Sequence, residues 1–134
     1  MLGGACADPT PAIIEQIERA GLPVTLAVEG ERAPLPAGVD LCAYRIVQEG
    51  LTNALKHAGP ARAEVVRHYA PRALDVEVRD DGRGPAHVNG KGNGDGAGHG
   101  LIGMRERVAL YGGALETGAR DGGGFAIHAH LPLA

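Results

Sequence analysis

The sequence predicts an α/β sandwich: one mixed, largely antiparallel sheet covered by helices on one face. Its periodic segments run in the order helix, strand, helix, strand, strand, loop, helix, strand, strand. Strands that follow one another directly, with helices between the groups, stack as one sheet under one helical layer. A doubly wound parallel sheet separates its strands by helices one at a time, and this order fits it poorly. Two segments anchor the prediction: a long amphipathic helix from Val39 to Ala58 and a strictly alternating strand from Ala73 to Asp80.

Taken in order, residues 1–8 read as a disordered lead-in. Asp8, Thr10 and Pro11 start a short helix, PAIIEQIERAG, which turns Ile13, Ile14 and Ile17 inward and stops at Gly21. Leu22 to Gly30 reads as a strand, with Val24, Leu26 and Val28 alternating. GERAPLPAG is a loop by its prolines and glycines. It delivers the chain to VDLCAYRIVQEGLTNALKHA, where Ile46, Val47, Gly50, Leu51, Ala54, Leu55 and Ala58 make one apolar stripe at helical spacing. Asp40 can cap this helix and Gly59-Pro60 ends it.

Glu49 and Asn53 stand four residues apart, so they share a helical face turned away from the stripe. His57 continues the line, and Lys56 lies beside it. A carboxylate, an amide oxygen, an imidazole and an ammonium along one edge can hold a metal ion and a polyanion. The same four groups also suit an ordinary solvated face.

Arg62 to Tyr69 is a strand whose mixed pattern leaves its facing undecided, and APRA is a hairpin-like break. In Ala73 to Asp80, Leu74, Val76 and Val78 point one way while Asp75, Glu77 and Arg79 point the other. By the same period Asp80 falls on the apolar side, where a carboxylate is costly without a partner. It can bracket the turn DDGRG, or it can accept a hydrogen bond from a ligand entering the end of the core. Arg83 to Gly100 has almost no apolar content and reads as flexible when empty, either a plain loop or a lid over a ligand. Gly100 opens a helix, LIGMRERVALYG, with Leu101, Met104, Val108 and Tyr111 inward and Arg105, Glu106 and Arg107 outward. Ala114 to Thr117 and Phe125 to Leu131 close the domain as two strands joined by GARDGGG, with Phe125, Ile127, Ala129 and Leu131 inward. His128 and His130 share the outer face of the last strand, which reads as solvated sheet surface rather than a metal site.

Bulk properties narrow the function classes. A chain of 134 residues is about one domain, with enough length for a hydrophobic core. A net charge of −3 and four aromatic residues argue against a nucleic-acid partner. Cys6 and Cys42 are too few for a disulfide framework and lack metal-type spacing. No long apolar run or signal-peptide layout is present, so the chain is expected to be soluble and cytoplasmic. Half of its 22 glycines lie between Gly82 and Gly113, as a ligand-hugging loop requires.

No G-x-x-x-x-G-K-[ST] occurs, which removes a P-loop. Gly98-His99-Gly100-Leu101-Ile102-Gly103 matches G-x-G-x-x-G, but a long polar loop precedes it where a dinucleotide fingerprint needs a strand. Glycines and exposed N–H groups at the start of the helix from Leu101 still make a phosphate seat. Glu49 and Asn53 offer hard oxygen ligands to a hydrated Mg²⁺. An inward Asp80, with Gly82 and Gly84 letting the backbone come close, suits a flat base with an amino donor. Adenine at one end, phosphates at the other and magnesium between them describe an ATP site.

E-x-x-x-N on a helix (Glu49, Asn53), D-x-G-x-G (Asp80, Gly82, Gly84) and G-x-G-L-x-G-M (Gly98, Gly100, Leu101, Gly103, Met104) resemble the N, G1 and G2 boxes of the GHKL ATPase superfamily. YRIVQEGLTNALKHA together with GHGLIGMRERV more closely resembles the catalytic ATP-binding domains of bacterial sensor histidine kinases. The subgroup suggested is the one paired with response regulators that carry nitrate-regulator-type helix-turn-helix outputs. The resemblance covers roughly Leu22 to Leu131 and implies the Bergerat form of the sandwich. It implies that Asn53 coordinates Mg²⁺ and Asp80 binds the adenine amino group. Gly82, Gly84, Gly98, His99, Gly100, Leu101 and Gly103 would line the nucleotide cleft and a lid over residues 84–100, and Lys56 and His57 would approach the phosphates. Glu49 matches the general base of water-splitting relatives. In the kinase subgroup an acid beside the phosphoacceptor His takes that part, leaving Glu49 to orient Mg²⁺ and water.

The resemblance further implies ATP and Mg²⁺ as cofactors, with phosphoryl transfer to a histidine on a separate dimerisation domain and from there to a response regulator. A cytoplasmic location follows, in some parents as the inner end of a membrane-anchored sensor. None of the six histidines has the R-E-L-H-D-like setting of a phosphoacceptor. The chain is therefore expected to be an excised, monomeric catalytic domain that binds Mg-ATP without phosphorylating itself. A stand-alone anti-sigma-factor-type regulator or serine kinase is the alternative reading, and a dinucleotide-binding fragment a third.

Overall fold

The described residues build eight elements: α1 (Thr10–Arg19), β1 (Val24–Gly30), α2 (Ala37–His57), β2 (Ala63–Ala70), β3 (Ala73–Asp80), α3 (Asp95–Leu110), β4 (Ala114–Ala119) and β5 (Phe125–Pro132). The computed structural model describes residues 10–31, 34–57, 61–82, 95–120 and 123–133, and gives backbone alone for 57 and 95–101. The lead-in expected at 1–8, the helix stop Gly59-Pro60 and most of the expected lid lie outside the described residues.

The strands form one sheet in the order β1-β2-β3-β5-β4. β1 and β2 run parallel, and every other neighbouring pair is antiparallel. A parallel pair needs a crossover, and α2 supplies it. The mixed, largely antiparallel sheet under one helical layer is as the segment order predicts.

One core forms between the sheet and the helices. Leu74, Val76 and Val78 of β3, Val65 of β2, and Ile127, Ala129 and Leu131 of β5 are buried on one sheet face. They meet Ile46, Val47, Leu51 and Ala54 of α2, the three isoleucines of α1, and Val108 of α3. α2 crosses β3 closely, with Gly50 against Val78. Within the described residues, no helix is long and apolar enough to cross a membrane.

Several expectations change in three dimensions. Val28 is exposed, because β1 is an edge strand whose burial fades along its length: Val24 is buried, Leu26 only partly. Tyr111 is also exposed, since it follows the last residue of α3 and rests its hydroxyl end near Gly38. α3 begins at Asp95 rather than Gly100. Helix elongation from an anchored segment is far easier than nucleation, so burial of Val108 extends the helix back into the glycine-rich run. The undecided facing of β2 has a specific cause in Arg67, which occupies a core-facing position and is only 2% exposed. Its Nη1 donates to Thr10 Oγ1 at 3.0 Å, its Nη2 lies 3.7 Å from Asp40 Oδ1, and its guanidinium stands over the Tyr69 ring.

Candidate functional site

Asp80 is the last residue of β3, flanked in register by Ala63 of β2 and Phe125 of β5. Period-2 alternation carries it onto the helix-covered face, where it is 6% exposed. Its Oδ1 accepts the Gly82 N–H at 2.9 Å. Burial pushes the Asp80 carboxyl above its ordinary value; the Gly82 N–H pulls down, the Asp81 charge pushes up, and the Arg120 guanidinium and Phe125 N–H pull down. The net shift is upward, so ionising this carboxylate is costly until a further donor arrives.

Asn53 is the second buried polar group. It stands one helical turn beyond Gly50, which packs on Val78, two residues before Asp80. Six residues after α2 ends, Ala63 opens β2 opposite Asp80. The carboxy-terminal half of α2 and the end of β3 therefore share one end of the sheet. Asn53 is 7% exposed and its Nδ2 has no hydrogen-bond partner among the described residues. An unsatisfied buried amide costs about 1–3 kcal/mol, so a fold that keeps one has a use for it outside its own packing. Burial here corrects the expectation that Asn53 lies on a wet face with Glu49. Glu49 itself is half-buried and Lys56 is exposed.

The remaining expected site residues divide by location. Gly82 holds its N–H on Asp80. Gly84 lies outside the described residues. His57, Gly98, His99, Gly100 and Leu101 have helical backbone, and Gly103 is exposed within α3. The helix N-terminus is thus at Asp95, so Gly98 and Gly100 sit inside α3 instead of at or ahead of its start, while Gly103 is within the helix as expected.

Tertiary structure adds groups that no local pattern marked. Arg120 Nη1 donates to the Asp80 carbonyl oxygen at 2.8 Å from the far end of β4. Gly124 lies so close to that oxygen, at φ +105°, that a β-carbon there would be 2.0 Å from it. Across the other side, the Arg62 N–H donates to Asp81 Oδ1 at 2.8 Å and the Asp81 N–H to the Arg62 carbonyl at 3.2 Å. On the sheet's open face Asp75 Oδ1 takes both His130 Nδ1 and His128 Nε2, at 2.9 and 3.2 Å. Among the described residues no group of three or more such side chains could hold a metal ion.

A costly inward carboxylate and a buried amide with an unpartnered Nδ2 thus stand at one end of an α/β sandwich, a fold and site of the kind an ATPase domain would use. The chain belongs to the histidine kinase-, DNA gyrase B- and HSP90-like ATPase family, whose model matches residues 38–134. It is a catalytic ATPase domain of the histidine-kinase type, homologous to sensor histidine kinases. The sensor histidine kinase LnrJ of Bacillus subtilis is 31% identical over 133 residues, covering 92% of this chain and 31% of that protein. The sensor histidine kinase YxjM of the same organism is 36% identical over 123 residues, covering 90% and 29%. This chain thus spans about a third of the relatives it matches. The catalytic domain of histidine kinase ThkA superposes with a TM-score of 0.70 at 16% identity, over 92% of this chain and 89% of that one. The histidine kinase domain of a blue-light activated kinase from Erythrobacter litoralis gives 0.70 at 25%, over 92% and 57%. These comparisons favour the kinase reading over the anti-sigma-factor alternative.

Proposed function

We propose that this end of the sheet binds Mg-ATP and that the domain passes the γ-phosphoryl group to a histidine on a separate dimerisation domain. The observation that carries the reading is Asp80: a carboxylate on a core-facing position, pushed up by burial and, among the described residues, with no cation bonded to its oxygens. The exocyclic amino group of adenine is the neutral donor such a carboxylate lacks. Asn53 supports the second half, because it is buried one turn beyond the point where α2 touches β3, with no partner at Nδ2 among the described residues.

The donor set fits magnesium, with the Asn53 oxygen as a hard ligand and waters completing the shell. When bound, the ion supplies positive charge to the phosphates. Asp80 then orients the base, and Gly82 and Gly84 let the backbone come close to it. On this reading Lys56 and His57 would serve the phosphates, and Gly98, His99, Gly100, Leu101 and Gly103 would serve the lid side of the nucleotide. With the ion bound, Glu49 would help to orient it, and an acid of the acceptor's own domain would take the proton from the acceptor histidine. In the transfer, the bond between the γ-phosphorus and the β–γ bridging oxygen breaks. A bond from the acceptor imidazole nitrogen to that phosphorus forms, and ADP leaves. The domain's contribution is positioning and electrostatic stabilisation.

The whole protein's partners follow from the same reading: the dimerisation domain and, through it, a response regulator. The wording of YRIVQEGLTNALKHA and GHGLIGMRERV supports the nitrate-regulator subgroup. Calorimetric titration with ADP and ATP, with and without Mg²⁺, tests the site. Binding that magnesium tightens is expected, and a domain that takes up neither nucleotide overturns the reading. Labelled phosphate appearing on the parent kinase's histidine-bearing domain, when the two are mixed with ATP, tests the transfer.

A further inference from the structure

We propose that Arg120 is a positioning residue for base recognition, holding from the β4–β5 turn the peptide that aims the Asp80 carboxylate. The proposal rests on the reading of Asp80 as the adenine-binding group and adds to it a residue far away in sequence.

The geometry runs through two consecutive peptides, Asp80–Asp81 and Asp81–Gly82. Asp80 ends its strand, so the peptide joining Asp80 to Asp81 is the first one the β ladder does not hold. Its carbonyl oxygen accepts Arg120 Nη1 at 2.8 Å, and its N–H donates to the Arg62 carbonyl at 3.2 Å. With both ends tied, that plane is fixed; the Gly82 N–H belongs to the next peptide, across Asp81, and Asp81 is itself held by the Arg62 N–H on its Oδ1 at 2.8 Å. The Gly82 N–H in turn holds Asp80 Oδ1 at 2.9 Å. Arg120 thus acts on the carboxylate through the backbone without touching its oxygens.

The turn is built to deliver this contact. The Arg120 N–H donates to the Gly124 carbonyl at 3.0 Å and the Arg120 carbonyl accepts the Gly123 N–H at 3.1 Å, which locks the backbone of the arginine. Gly124, at φ +105°, brings the start of β5 onto the Asp80 carbonyl where any side chain would collide with it. Among the described residues the charges acting on Asp80 are Asp81 from its own loop and Arg120 from the hairpin. The flanking strands place Ala63 and Phe125 beside it, and α2 presents the uncharged Asn53 at this end. Arg120 is therefore the cation that offsets Asp81, and it does so from an exposed position where substitution leaves the core untouched.

The test measures discrimination as well as affinity. Inosine triphosphate carries a carbonyl oxygen where ATP carries the amino group, so only ATP offers Asp80 an exocyclic N–H; the N1–H of inosine lies one ring position away. Binding of both nucleotides with Mg²⁺ is compared for the wild type, Arg120→Gln, Arg120→Lys and Asp80→Asn. In Arg120→Gln, ATP is expected to weaken about tenfold, the order of one lost hydrogen bond, while inosine triphosphate changes little. The preference for ATP therefore falls, and Arg120→Lys recovers most of it. An Arg120→Gln protein that keeps the wild-type preference overturns the proposal, whether both affinities are unchanged or both drop by one factor. If Asp80→Asn also keeps that preference, the reading of Asp80 fails along with it. If Asp80→Asn loses the preference while Arg120→Gln keeps it, the Arg120 assignment alone fails.

Discussion

Gly50 of α2 lies against Val78 of β3 so closely that a β-carbon at Gly50 would sit 2.9 Å from both Cβ and Cγ1 of Val78. This contact sets the height of α2 over the sheet, and through it the position of Asn53 relative to Asp80. Gly50→Ala should gain about 1 kcal/mol of helix propensity but force a branched core side chain or the helix itself to move, at about 1–3 kcal/mol. Net destabilisation is expected in urea denaturation, together with weaker Mg-ATP binding. A variant as stable as the wild type would show that the helix can lift without cost.

Asp80→Asn should separate function from stability. Nucleotide binding is expected to weaken by about 1–3 kcal/mol, the worth of a charge-assisted hydrogen bond. The Asn Oδ1 can still accept from Gly82, so the turn is kept. Burial raises the folded-state value of Asp80 above the 3.8 of a free carboxyl, which means that the fold holds this proton more tightly than the unfolded chain does. Its contribution to stability is complete below that value and is lost as pH rises through the raised one. The Asn variant lacks this loss, so the nucleotide-free variant should melt at or above the wild-type temperature at neutral pH. Thermal scans across the acid range read this directly.

Asn53→Ala removes an amide that has no hydrogen bond at Nδ2 in the described structure. The nucleotide-free domain should then lose no more than about 1 kcal/mol. What should disappear is the increment that Mg²⁺ adds to ATP affinity, measured as the ratio of binding constants with and without EDTA. A preserved increment would take Asn53 out of the magnesium site.

Arg67→Ala addresses the fold alone. The guanidinium links the start of α1, through Thr10, to Asp40 in α2 and to Tyr69 in its own strand. Its removal leaves a buried hydroxyl with one partner fewer and a cavity under two helices, a loss of about 2–4 kcal/mol. Asp40 is partly exposed and adds little to that figure. Chemical denaturation should show the loss, while the nucleotide affinity of the protein that remains folded stays near the wild-type value.

Local periodicity made much of this molecule legible. The strand Ala73–Asp80 was bounded correctly by alternation alone, and the same period turned Asp80 inward before any neighbour was known. The isoleucine face of α1 and the stripe of α2 were readable because each helix meets only one apolar surface. Val28 and Tyr111 were misjudged because alternation and helical spacing show which residues could be buried, not whether anything lies over them.

By itself, then, the sequence determined the element order, the mixed sheet, the inward acid and the box residues that mark a histidine-kinase-type ATPase domain. All of these are written within a few turns or a few strand residues of one another. Only the tertiary structure decided that Asn53 is buried, that Arg67 belongs to the core, and that Arg120 holds the Asp80 carbonyl from 40 positions away. Those facts depend on which surfaces the fold brings together, and a one-dimensional pattern carries no record of partners contributed by distant segments.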